Sequence, residues 1–154
     1  MDMRTFPGHR EWTEAFFVIL LAVAAPASAD QSRIGSIKTY KPEATIVHRG
    51  AEHPAAPGGH IYRGDTIVTR FEGAVGITFM DGTVLSLGPE TRFTVDDFLF
   101  KPAERDVSFL STILSGTATF ISGAIGRISP ESVRIKTPTA TLGLRGTKIL
   151  VEVR

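Results

Sequence analysis

His48, His53 and His60 are the residues of this chain whose type and spacing come nearest to metal chemistry, because one loop holding all three could bring the imidazoles together for zinc or copper. Their spacing matches no common site, and no Cys or acidic ligand is paired with them along the chain. A solvated histidine-bearing loop is the default reading, and no metal or cofactor is expected. Asp81 and the adjacent Asp96 and Asp97 supply carboxylates for acid–base work, yet neighbours on a strand point to opposite faces and Asp81 belongs to a turn signal. There is no cysteine, no nucleophile elbow and no metal motif, so no catalytic residue is assigned and the reading is non-enzymatic. Arg63-Gly64-Asp65 spells an adhesion tripeptide, but it also starts a strand, and three residues match by chance often. Arg145, between Gly143 and Gly146, is either a recognition residue or a guanidinium that ties down loop carbonyls; five donors suit the second role.

The elements that position these groups are short strands broken by turns. Residues 30–36 are polar and expected to be loosely held. From Ile37 the strands read as Ala44–His48, Asp65–Phe71, Ala74–Phe79, Thr83–Leu87, Arg92–Phe100, Val107–Leu114, Thr117–Ile121, Ser132–Thr137 and Lys148–Val153, with a Pro- and Gly-rich loop from Arg49 to Gly59. Val107–Leu114 is compatible with helix as well, though Ser108, Ser111, Thr112 and Gly116 favour strand. Asp81-Gly82-Thr83 between β-branched runs signals a hairpin, since Gly accepts the positive φ of a tight reversal. Gly88-Pro89 turns the chain again, and Thr137-Pro138 ends a strand because Pro cannot donate to a ladder. In Arg92–Phe100, Phe93 and Val95 share one parity while Phe98 and Phe100 take the other, so a bulge at Asp96-Asp97 is needed to bring all four inside. No long helix is expected after residue 29. The pattern predicts an all-β single domain: a β-sandwich, β-roll or short β-solenoid.

The N-terminus has the order of a secretory leader. Arg4, His9 and Arg10 precede the apolar run Ala15–Ala25, and Pro26-Ala-Ser-Ala29 supplies a small-residue cleavage site. The run is shorter than the ~20 residues of a membrane-spanning helix; an uncleaved anchor is the alternative. The expected division is a signal peptide over residues 1–29 and a β domain over residues 30–154, placed in the periplasm or secreted. Cleavage removes Arg4 and Arg10 against Asp2, Glu11 and Glu14, leaving 15 basic and 13 acidic residues. That near balance, without a basic block, argues against nucleic acid as a partner. An exported domain without cysteine must rely on packing alone.

Arg63-Gly-Asp-Thr-Ile-Val-Thr69, Gly76-Ile-Thr-Phe79, Asp81-Gly-Thr-Val-Leu-Ser-Leu-Gly-Pro89 and Ile135-Lys-Thr-Pro-Thr-Ala-Thr-Leu-Gly-Leu-Arg-Gly-Thr147 together resemble the FecR-type periplasmic domain. The resemblance implies a β-only extracytoplasmic fold and, for sensor members, relay of an outer-membrane uptake signal to a sigma factor. Such a sensor carries a cytoplasmic segment ahead of its membrane helix to hold the sigma factor. Here 14 residues precede the apolar run, too few for that grip.

The resulting expectation is a binding or signalling module for an envelope protein, engaged by strand addition along Lys148, Ile149, Leu150, Val151, Glu152, Val153 and Arg154. Asp81, Gly82, Thr83, Gly88, Pro89, Thr137, Pro138, Arg145, Gly146 and Thr147 form the structural motif. A glycan- or polymer-binding or structural envelope module is the alternative; it would draw on exposed aromatics such as Tyr40 and Tyr62.

Overall fold

Period-two alternation, interrupted by Gly, Pro and Asx steps, leaves this chain little choice but to pair its short strands into a sheet. The computed structural model describes residues 32–154, so the expected leader lies outside the described residues. The strands are β1 (Gly35–Lys41), β2 (Ala44–His48), β3 (Ala51–Pro54), β4 (His60–Ile61), β5 (Thr66–Thr69), β6 (Ala74–Phe79) and β7 (Val84–Leu87). They continue as β8 (Arg92–Lys101), β9 (Asp106–Ile121), β10 (Val133–Lys136), β11 (Thr141–Gly143) and β12 (Lys148–Val153), with one five-residue helix, α1 (Ala124–Ile128). The fold is all-β: a curled, mostly antiparallel sheet that forms a half-barrel.

The main path through the sheet runs β3-β2-β5-β8-β9-β7-β6-β1-β4. β9 is its spine. Its first half pairs with β8, and its second half with β7 and, on the opposite side, β12. The two strands expected at Val107–Leu114 and Thr117–Ile121 are therefore one, bent at Gly116, where φ is +87°. Thr91 leaves no room there for a side chain: a Cβ on Gly116 would lie 2.5 Å from its Cα. At this bend β9 exchanges one partner for the other, since Ser115 pairs with Arg92 of β8 and Ala118 with Leu87 of β7.

The bulge expected at Asp96-Asp97 is present, as the β8–β9 register shifts between Val95 and Asp97. It returns Phe98 to the face of Phe93 and Val95, all three buried, with Phe100 packed against the same core. Phe79, Phe98, Phe109 and Phe120 then stack in a run, with the Phe79–Phe109 and Phe109–Phe120 rings edge-to-face at 4.9 and 5.1 Å. Such pairs add about 0.5–1.5 kcal/mol each beyond burial.

Other expectations need correction. The polar start is ordered from Ile34, which is buried and bonds Ile61 and Met80 through its backbone. The Arg49–Gly59 loop contains β3, turned by Arg49 and Gly50 in the left-handed region. β10 lies parallel to β9, a pairing that requires a crossover; residues 122–132, with α1, supply it. β11, absent from the sequence reading, folds back on β10.

Candidate functional site

Among the described residues β12 is the longest of the strands that pair on one side only. The Ser122 N–H donates to the Thr147 carbonyl at 2.8 Å, and in the same register Lys148 lies opposite Ile121. Hydrogen-bonded pairs alternate along an antiparallel ladder, so Ile149, Val151 and Val153 direct their N–H and C=O groups at β9. Lys148, Leu150 and Glu152 direct theirs outward. Among the described residues β12 pairs with β9 alone, so those outward groups form an open edge. Leu150 is 70% exposed, diagonal on the same face to the half-exposed Ile121. Val151 is buried, and Ile149 and Val153 pack on the core. Arg154 pairs with Glu152 at 2.7 Å.

The turn residues hold the scaffold behind this edge. Gly82 adopts φ +83° in the β6–β7 hairpin, and the Asp81 carboxylate is buried beneath it. Asp81 Oδ1 accepts from the Thr83 N–H at 3.0 Å, while Oδ2 accepts from the Thr83 hydroxyl at 2.7 Å and the Ile125 N–H at 3.3 Å. Its carbonyl accepts from Ala124 N–H, and the Thr83 Oγ1 accepts from Gly123 N–H. Asp81-Gly82-Thr83 thus anchors α1, more than 40 residues on, as well as turning its own hairpin. Gly88 and Pro89 are pinned in the same way: the Thr69 hydroxyl donates to the Gly88 carbonyl, and the Thr91 hydroxyl lies within hydrogen-bond reach of the Pro89 and Thr117 carbonyls.

Thr137 closes the β10–β11 hairpin around Pro138, with its Oγ1 accepting from Ala140 N–H at 3.0 Å. Gly146 sits at φ +130°, and the neighbouring Arg145 and Thr147 are exposed. Arg145 faces a shallow cavity with Arg134 and Glu131. The Ser129 hydroxyl's hydrogen bond, with a smaller contribution from the Arg145 charge, holds the Glu131 carboxyl below its ordinary range. Arg134 and Lys136 are exposed opposite buried Val133 and Ile135, as alternation required.

Sequence reasoning missed one pairing. Asp65, 17 residues along the chain from His48, is buried and accepts from His48 Nδ1–H at 2.5 Å and from the Tyr62 N–H at 2.9 Å. That burial removes Asp65 from any adhesive role for Arg63-Gly64-Asp65. His53 and His60 line the same cleft as His48, but no group of three metal-binding side chains converges among the described residues. The remaining carboxylates serve the bulge: Asp96 accepts from the Thr112 hydroxyl, and Asp97 from the Ser108 hydroxyl and Arg63.

A curled sheet with a bent spine strand, polar-pinned turns and a free strand edge defines an all-β module that offers a surface. The chain belongs to the FecR family, whose model, described as FecR protein, matches residues 65–154. FecR is a regulatory and signalling family associated with iron–siderophore uptake, not one known for enzymes. No curated protein and no solved structure matches the chain. The family match begins at Asp65, so β1 to β4, with all three cleft histidines, lie ahead of it.

Proposed function

We propose that this chain is a non-enzymatic, periplasmic signalling module that engages an envelope protein by accepting an added strand along β12. The observation that carries this reading is the open edge at Lys148, Leu150 and Glu152, with Leu150 exposed between two charges of opposite sign. An extended partner segment would satisfy the outward backbone groups and cover Leu150; main-chain bonds supply affinity and side-chain pairs supply selectivity. Regulated uptake is the setting that family membership suggests.

The geometry of the edge supplies a selective test. Leu150→Pro removes an outward N–H and leaves the β9 ladder intact, so the domain should stay folded and lose its partner. Val151→Pro removes an inward N–H at a buried position and should cost about 3 kcal/mol. The expected result is capture of an envelope protein by the natural chain but not by folded Leu150→Pro, with slowed amide exchange at Leu150 and Glu152 in the complex. Capture undiminished by Leu150→Pro would overturn strand addition.

Export is the second element of the proposal, and it rests on the leader-like residues 1–29. Intact mass of the periplasmic product should correspond to a chain starting at Asp30. A full-length product retained in the inner membrane would replace the soluble module with an anchored one.

A further inference from the structure

The sheet's two ends meet at a seam. β2 and β3 stand on one side, β1 and β4 on the other, and residues 55–59 bridge them through Ala55 N–H to the Ala44 carbonyl and Gly58 N–H to the Ile37 carbonyl. A cleft of about 300 Å³ opens at this seam, with Ile37, Ile46 and Pro54 as apolar wall and His48, His60 and Tyr62 as polar wall. We infer that this cleft binds a single aromatic ring carrying a neutral hydrogen-bond donor, a phenol or its equivalent, with His48 Nε2 as the acceptor.

The inference starts from Asp65. A carboxylate only 1% exposed is costly to bury, and a buried polar pair is at best weakly stabilising. What the pair does achieve is to orient an imidazole. With Nδ1–H given to Asp65, Nε2 is the nitrogen left to face a ligand, and in the neutral form of the ring it is an acceptor. To that form a ligand must donate. The His48 side chain keeps 28% of its surface exposed, so the ring is reachable. Tyr62 lies 5.1 Å from the His48 ring, tilted, and 6.3 Å from the His60 ring, edge-to-face, and a further ring could join them in the same geometry. Among the described residues no Lys or Arg lines the cleft, which disfavours carboxylates and phosphates. His48 and His60 both pack against Tyr62 instead of converging on a point, which disfavours a metal. The volume is at the small end for ligand sites, about 300 Å³, and suits one substituted ring.

Titration of the full chain with p-cresol, followed by amide and imidazole NMR, provides the test. Shifts should concentrate at His48, His60 and Tyr62, with a Kd in the millimolar range suited to so small a ligand. 4-Methylanisole has the same ring without the donor and should bind at least about tenfold more weakly. This comparison needs no variant. In Asp65→Ala, checked for fold by its spectrum, p-cresol should lose a similar factor because nothing then accepts from Nδ1–H to orient the imidazole. A peptide with a central tyrosine that binds more tightly than p-cresol would identify the ring as a partner's side chain; the reverse order would identify a free small molecule. Equal binding of p-cresol and 4-methylanisole, absence of shifts at the cleft, or tight Zn²⁺ binding on His48, His53 and His60 would each overturn the inference.

Discussion

Gly116→Ala is expected to destabilise the domain by about 3–5 kcal/mol, adding the cost of a left-handed backbone to that of forced overpacking. The added methyl would meet the Thr91 Cα at 2.5 Å and the Glu90 carbonyl at 2.7 Å, and these are backbone atoms that cannot swing away. They belong to the turn that Thr69 and Thr117 hold in place, so relief would have to break that network. Against a total stability of about 5–15 kcal/mol, such a loss lowers the urea midpoint by a large fraction. Gly82→Val is the informative contrast. Gly82 also has positive φ, but a Cβ there meets nothing within 4 Å, so only the backbone term of about 1–3 kcal/mol applies. Equal midpoints for the two variants would show that the bend in β9 does not depend on close approach.

Asp81→Ala should cost about 3–5 kcal/mol and act at a distance. Three donors lose their acceptor at once: the Thr83 N–H, the Thr83 hydroxyl and the Ile125 N–H. Each donor left buried and unpaired costs about 1–3 kcal/mol, and relaxation of the hairpin recovers part of the sum. The loss should be visible in α1 as well as in the turn. Amide exchange at Ala124 and Ile125 should accelerate by more than at β8, on the other side of the spine. Asp81→Asn retains one acceptor and should fall between the natural chain and Asp81→Ala. A purely local role, with exchange changed only at Gly82 and Thr83, would show that the helix is held by packing of Ile125 instead.

Local residue chemistry determined the hairpins, the strand parities and the class of fold. Asp81-Gly82 gave its reversal because no Cβ opposes positive φ, and β6 and β12 have the expected bounds because one parity of each, Val75, Ile77 and Phe79 or Ile149, Val151 and Val153, is apolar throughout. Even the β8 bulge was readable, since Phe93 and Phe98 could share a core only if one residue were left over. Tertiary structure decided whatever depended on distant partners. Val107–Leu114 and Thr117–Ile121 read as two strands on either side of Gly116, yet that glycine lets one strand change neighbours against Thr91. The parallel pairing of β10 has no local signature, because a crossover is set by where its ends are held, here by Asp81 and Thr83 gripping residues 123–125. His48 and Asp65 carry no mark of each other in the chain. Antiparallel pairing of β2 with β5, Val47 opposite Thr66, brings them into contact, and only burial then makes the carboxylate depend on the imidazole.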